Sequence, residues 1–400
     1  MRGAVLAIGT ELLLGDVINS NAAVLGKALA AAGVEVIASE ALADDLDVLV
    51  AAVHRHLSQT DVLVLCGGLG PTRDDLTREV VAAAFDAPLV RQPEIEQRLR
   101  DLWASRGRQI TEAVLAQADV PAGAEALDNA AGTAPGLWLA KDGKVVVALP
   151  GPPSELRAVS AAVWPRLAEL SGQVVTTRQV LVHGVGESAV AELVEPGLVI
   201  PDGVGMSYLA SGGLVRVRFT TSGDPSVLAP LIAHADAALG VAVWGHDDDT
   251  VESVLQERLE QRGETVAVAE SLTGGLLSGA LTARPGSSAV FRGGLVVYAT
   301  DLKDSLAGAT AAVDGAVSSA TAAALARGAR ERLGATWGLA VTGVAGPTEQ
   351  EGHPVGTVFL AVDGPTSEVV EVRFPGGDRD RIRTLTVQTA LHLLRRHLPA

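Results

Sequence analysis

The sequence predicts an α/β protein with more than one domain, on three observations. Short continuous apolar runs alternate with helical periodicity in both the first and last portions of the chain, the pattern of parallel sheets covered on both faces. Hydrophobic residues make up 48% of the sequence but aromatics only 3%, so the cores are filled by small aliphatics, as suits layered strands and helices. Four hundred residues exceed what one core ordinarily serves, at about 100–200 residues per domain. Three domains are expected, over residues 1–170, 171–249 and 250–400.

Taken in order, the first domain reads as a strand at residues 4–8, a helix from Asn21, a strand at 34–38, a helix from Leu46 and a strand at 62–66. Residues 62–65 are apolar at every position rather than at alternate ones, which predicts burial on both faces and a doubly wound parallel sheet. Ligands of such sheets sit beyond the carboxyl ends of the strands. Four segments fall there: Gly9-Thr-Glu-Leu-Leu-Leu-Gly15, Asn19-Ser-Asn21, Cys66-Gly-Gly-Leu-Gly-Pro-Thr-Arg-Asp-Asp75 and Leu149-Pro-Gly-Pro-Pro-Ser-Glu155. Gly9, Asn21, Gly68 and Gly70 are candidate ligand-binding positions, because glycine-rich turns let backbone amides approach phosphate. Glu11, Asp44, Asp74 and Asp75 supply the hard oxygen donors a divalent cation takes, although carboxylates at loop ends also serve as helix caps.

The second segment changes character. A strand at 174–182, a short helix after Gly186, paired runs at 205–210 and 214–220 and a helix from Pro225 predict a small α+β connector. It holds three arginines against nine acidic residues and closes on Asp247-Asp-Asp249, a solvated linker or helix start.

From Thr250 a second α/β unit is expected. Its strands fall at 265–270, 295–298, 337–341, 356–363 and 368–374, with helices from Thr273, Leu302 and Ser318 and at the terminus. Ser271 ends an apolar run and precedes Leu272-Thr-Gly-Gly275, which puts its hydroxyl at a strand-to-helix turn on the carboxyl edge of the sheet. Backbone N–H groups there, near Thr273 and Gly274, can stabilise an oxyanion. The other reading is that Ser271 or Thr273 caps the helix. Tyr298 and, five residues on, Lys303 project toward the same edge, and a lysine kept neutral by burial can deprotonate a serine directly or through a tyrosine. Gly343-Val-Ala-Gly-Pro347 is a close-approach loop at that edge. The terminal helix opens with Arg379, Arg381 and Arg383, where the helix dipole favours anions; a bound phosphate, or pairing with Asp378 and Asp380, would balance them.

Together Ala269-Glu-Ser-Leu-Thr-Gly-Gly275, Tyr298 with Lys303, Thr342-Gly-Val-Ala-Gly-Pro347, Pro354-Val-Gly-Thr-Val358 and Gly377-Asp-Arg-Asp380 resemble the nicotinamide-mononucleotide deamidase domain of the competence/damage-inducible protein A (CinA) family. The resemblance implies Ser271 as nucleophile, Tyr298 and Lys303 in proton transfer, and substrate held by Gly343, Ala345, Gly346 and Arg379, with no cofactor. Leu272 stands where the family often has cysteine, so no thiol in this domain competes with the serine. The N-terminal motifs are similar to the family's molybdopterin-binding-like domain, which implies ADP-ribose hydrolysis with a divalent metal; Ala43 departs from the family's glycine there. The connector resembles the family's KH-type domain. It lacks a G-x-x-G clamp with basic flanks at Gly184-Val-Gly-Glu187, so RNA binding does not follow, and it reads as a spacer or dimerisation element.

A formal charge of −16 repels phosphate polymers, and no basic patch offsets it. Cys66 is the sole cysteine, which excludes an intrachain disulfide and agrees with a reducing compartment. With no signal-peptide core and no run of about 20 apolar residues, a cytoplasmic homodimer acting on nicotinamide mononucleotide and ADP-ribose is expected. Two other readings stand beside it: an N-terminal module that binds a nucleotide or pterin without turnover, and a scaffold that meets recombination proteins.

Overall fold

The computed structural model describes residues 1–399 and divides into two compact units: Met1–Thr177 with Thr220–Ser226, and Arg178–Phe219 with Val227–Ala400. The first is built on a six-stranded sheet in the order Glu35–Leu42, Arg2–Ile8, Val62–Cys66, Lys144–Leu149, Gly136–Lys141, Glu125–Leu127. The first four strands are parallel, with Val5 beside Val64 and Val64 beside Val147. Leu63 and Leu65 pack into one core and Val62, Val64 and Cys66 into the other, so the continuous apolar run is buried on both faces as its sequence requires.

The last two strands are antiparallel, so the sheet expected to be doubly wound and parallel is parallel over four strands and closes on an antiparallel edge. The cause is local. Asp142 and Gly143 both have positive φ, 51° and 75°, and form the two-residue loop joining Gly136–Lys141 to Lys144–Leu149. Such a loop matches the twist of paired strands and folds the chain straight back instead of through a crossover helix.

The connector carries a four-stranded sheet ordered Val204–Ser211, Leu214–Thr221, Thr176–His183, Val243–His246. The helix Leu228–Leu239 packs Leu228, Leu231, Ile232, Ala235 and Leu239 into its core. The surrounding stretch Pro225–Ala242 is apolar enough for a short membrane span, at a mean hydropathy of 1.3, but that face is occupied by the sheet's own side chains.

The remainder of the second unit is a five-stranded sheet in the order Phe291–Val296, Val266–Glu270, Trp337–Gly343, Thr357–Asp363, Glu368–Arg373. The first three strands are parallel and the last two antiparallel. Val266 and Val268 enter one core, Ala267 and Ala269 the other. On the second face the alanines admit the helix Ser319–Leu333, where Gly328 lies against the Ala307 backbone. Truncating a core leucine such as Leu339 would cost about 2–5 kcal/mol.

Candidate active site

The strand Val266–Glu270 runs directly into the turn carrying Ser271, and the helix expected from Thr273 begins only at Leu276. Gly274 and Gly275 have φ of 59° and 103°, left-handed values that keep residues 271–275 out of the helix. Ser271 is held by its backbone: its N–H donates to the Val341 carbonyl at 3.1 Å and its carbonyl accepts from Gly274 N at 3.2 Å. Its hydroxyl makes no hydrogen bond among the described residues, so the capping reading of Ser271 does not describe this turn.

Of the two anticipated oxyanion donors, the Thr273 N–H has no acceptor among the described residues and the Gly274 N–H has one. Thr273 is fully buried with its hydroxyl on Glu270 at 2.8 Å, and the Gly274 N–H is spent on Ser271; neither lines the cavity beside Ser271. Leu272 does line it. In a trans peptide the N–H points opposite the carbonyl; with the Ser271 carbonyl turned in to Gly274, the Leu272 N–H turns the other way. No acceptor among the described residues takes that N–H, which makes it an available oxyanion donor on a residue that lines the cavity.

The cavity measures about 350 Å³ and gathers Ser271, Tyr298, Lys303, Gly343, Ala345, Gly346 and Arg379 as anticipated, together with Thr342, Glu349 and Gln350. Tyr298 lies two residues beyond its strand, which ends at Val296, and is exposed. Its hydroxyl accepts from Arg379 Nη2 at 2.6 Å, while Arg379 Nη1 donates to the Gly346 carbonyl at 2.8 Å. Lys303 sits in the helix Thr300–Ala307 at 2% exposure. Burial holds its amine below the ordinary lysine value, against the opposing pull of Glu351 and Asp304. Lys303 Nζ donates to the carbonyls of Val297 at 3.0 Å and Tyr298 at 3.2 Å. Two hydrogens are thereby used, and the third position of the nitrogen carries either a proton or a lone pair. It makes no hydrogen bond to Ser271 in this structure.

Arg383 takes neither of its anticipated roles alone: it donates to the carbonyls of Leu272 and Thr273 at 3.1 and 3.0 Å and pairs with Asp380 at 3.2 Å. Sequence reasoning also passed over Glu270, whose signal was an acid closing a wholly apolar strand. It is fully buried and accepts from Thr273, Gly275, Leu277 and Ser278.

In the first unit a larger cavity of about 510 Å³ brings together every expected position: Gly9, Glu11, Asn21, Asp44, Gly68, Gly70, Asp74 and Asp75. Gly67 and Gly68 have φ of 107° and 66°, and a Cβ on Gly67 would strike the Ile8 carbonyl, so the loop requires glycine there. Behind it, buried Arg78 donates to the carbonyls of Leu69 at 2.6 Å and Gly70 at 3.1 Å, a support no sequence motif announced. Asn21 donates to Gly151 at 2.7 Å. The carboxylates are the right donors for a hard cation, but they do not converge. Asp44 accepts from Thr10 N and Oγ1, Asp75 from Thr72 N and Oγ1, and no three acidic, histidine or cysteine side chains cluster at metal-binding range among the described residues. A preformed metal centre therefore does not fit this arrangement, and no catalytic step through a metal follows from it.

Fold and cavities define an α/β protein of molybdopterin-binding-like and CinA-type parts. Residues 4–169 match the probable molybdopterin binding domain and residues 248–398 the CinA C-terminal domain. A CinA-like protein of Frankia casuarinae is 46% identical over 100% of this chain and 96% of its own length. A CinA-like protein of Synechococcus elongatus is 38% identical over 98% and 97%. The crystal structure of the protein CinA from Thermoplasma acidophilum is 34% identical over 42% of this chain and 97% of that one, with a TM-score of 0.39. The chain belongs to the CinA-like protein family.

Proposed function

We propose that the cavity at Ser271 is a serine amidohydrolase site that releases ammonia from the carboxamide of nicotinamide mononucleotide. One observation carries the reading: an unengaged serine hydroxyl shares a cavity with a buried lysine whose amine burial holds below its ordinary value. Ser271 Oγ attacks the carboxamide carbon while its proton passes to Lys303, directly or through Tyr298. The Leu272 N–H faces the developing oxyanion. The proton returns to the nitrogen, the C–N bond breaks and ammonia leaves. Water then hydrolyses the acyl-serine to the carboxylate and restores the hydroxyl. Arg379 at the rim supplies a cation suited to the nucleotide phosphate.

The test is ammonia release from nicotinamide mononucleotide by the full chain with EDTA present. Release that disappears in Ser271→Ala supports the reading; no release from the unaltered chain, or undiminished release from the variant, overturns it.

For the first unit we propose binding of a phosphate-bearing nucleotide or pterin on the loops of Gly9 and Gly67-Gly68, favoured by the cavity's size and glycine-lined approach. Hydrolysis of ADP-ribose there would need the ligand itself to draw the carboxylates around a cation. Release of AMP from ADP-ribose with and without added divalent metal separates binding from turnover.

A further inference from the structure

Glu270 lies one residue before the proposed nucleophile and never faces the cavity, yet five donors converge on its carboxylate. Oε2 accepts from Thr273 Oγ1 at 2.8 Å, Gly275 N at 2.9 Å and Leu277 N at 3.0 Å; Oε1 accepts from Ser278 N at 2.8 Å and Ser278 Oγ at 2.6 Å. The helix Leu276–Thr282 has glycine at its N-cap and no side-chain cap of its own. Its orphan N–H groups are satisfied from upstream, by the last residue of the preceding strand. The side chain therefore spans the Ser271 turn and ties its exit to its entrance.

A second hold acts on the same turn. Arg383, from the terminal helix Arg379–His397, donates to the carbonyls of Leu272 and Thr273. With the Ser271 N–H fixed on Val341, every peptide from 270 to 274 is engaged on one side. The Ser271 hydroxyl and the N–H groups of Leu272 and Thr273 are left over, and of these residues Ser271 and Leu272 line the cavity that the amidase chemistry uses. Such preorganisation matters because a displacement of about 1 Å at a reacting atom can cost about 100-fold in rate.

We infer that Glu270 is a positioning residue: with Arg383 it clamps the Ser271 turn so that nucleophile and oxyanion donor are presented together. This rests on the amidohydrolase reading of Ser271. Glu270 itself touches no reacting atom and passes no proton.

The experiment measures kcat, KM and the pH profile of ammonia release from nicotinamide mononucleotide for the full-length Glu270→Gln, Thr273→Val and Thr273→Ser proteins, with Ser271→Ala alongside. Rates are normalised to the fraction of folded protein by hydrogen exchange at residues 266–270. A glutamine amide turns N–H groups against the donors that a carboxylate accepts. Glu270→Gln is expected to lose about 30- to 100-fold in kcat with KM and the shape of the pH profile unchanged. Thr273→Val, which removes one donor and preserves shape, loses about 3- to 10-fold, and Thr273→Ser restores the rate. Thr273→Val keeps the question open to refutation if Glu270→Gln does not fold. Full kcat in both Glu270→Gln and Thr273→Val, with Ser271→Ala dead, overturns the clamp and leaves the nucleophile standing. A shifted pH profile in Glu270→Gln overturns it too, by making Glu270 a proton-transfer group. Activity in Ser271→Ala would instead remove the reading beneath it.

Discussion

The two cavities of this protein are built on similar sheet edges and treat their polar groups in opposite ways. In the first unit the carboxylate of Asp44 is engaged by Thr10 of the neighbouring loop and that of Asp75 by Thr72 of its own. Cys66, the one thiol, is pushed up to about 11 by burial despite a hydrogen bond from Asn21. What that cavity offers a ligand is its size, its glycine-lined backbone and carboxylates such as Glu11. In the second unit the groups left without a partner include the Ser271 hydroxyl, the Leu272 N–H and the third position of Lys303 Nζ. The proposal of chemistry at the second cavity rests on a free hydroxyl beside a buried amine, a pairing that no group lining the first cavity repeats.

The sharpest way to break that contrast is at Lys303. Lys303→Met should lower kcat for ammonia release by about 100- to 10,000-fold, the range of a lost general base. Lys303→Arg should not rescue it, because a guanidinium does not give up its proton. Burial favours the neutral amine, so activity should be lost as pH falls through a midpoint below the ordinary lysine value, and this acid limb should vanish in the residual rate of Lys303→Met. An unchanged rate in both variants would place the base elsewhere.

Arg379→Ala tests the rim. It removes the cation at the cavity and the hydrogen bond to Tyr298, and KM for nicotinamide mononucleotide should rise about 10- to 100-fold, with less effect on a nucleoside lacking the phosphate. Equal losses for both substrates would assign Arg379 to holding Tyr298 instead.

Arg78→Met addresses the other cavity. Without donors behind Leu69 and Gly70 the loop loosens, and ADP-ribose binding measured by calorimetry should weaken about 10-fold while ammonia release is untouched. A fall in ammonia release with no change in ADP-ribose affinity would contradict the separation of the two sites.

The smallest expected effect is on stability. His183 and His392 stack with ring centroids 3.8 Å apart within the second unit. Burial, with Arg395 and Arg396 nearby, lowers His183 to about 4; burial, His183 and the same arginines hold His392 lower still. Both are neutral when folded. Below the ordinary histidine value of about 6.5 the unfolded chain binds protons that the folded one refuses, so stability present above that value is lost as pH falls toward 4. The slope should reach about 1.4 kcal/mol per pH unit for each imidazole, read from hydrogen exchange of the strand Val266–Glu270, and His392→Leu should flatten it. A pH-independent exchange rate constant for unfolding, corrected for intrinsic exchange, would show that the pair is not neutral in the fold.

How much of this was legible beforehand follows from how local each cause is. The strand Val62–Cys66 was readable to the residue, because five consecutive apolar positions have no other use. The two cavities could be placed from glycine-rich segments at strand ends. The Asp142-Gly143 loop was also legible, as a two-residue turn between apolar runs, and the reading of a parallel sheet did not include the antiparallel edge it makes. The helix was expected three residues early because the left-handed turn of Gly274 and Gly275 delays its start to Leu276, and the Thr273 hydroxyl goes to Glu270 instead of capping it.

By itself the sequence determined the alternation of strands and helices, the turn at Ser271 and the company of Tyr298 and Lys303, since these depend on neighbours within a few positions. Only the tertiary structure decided which of their groups remain free. Arg379 reaches Tyr298 across 81 positions and Arg383 reaches Leu272 across 111. A hydrogen bond is satisfied by whatever lies within about 3 Å, and chain distance carries no information about that until the sheet and the terminal helix have packed.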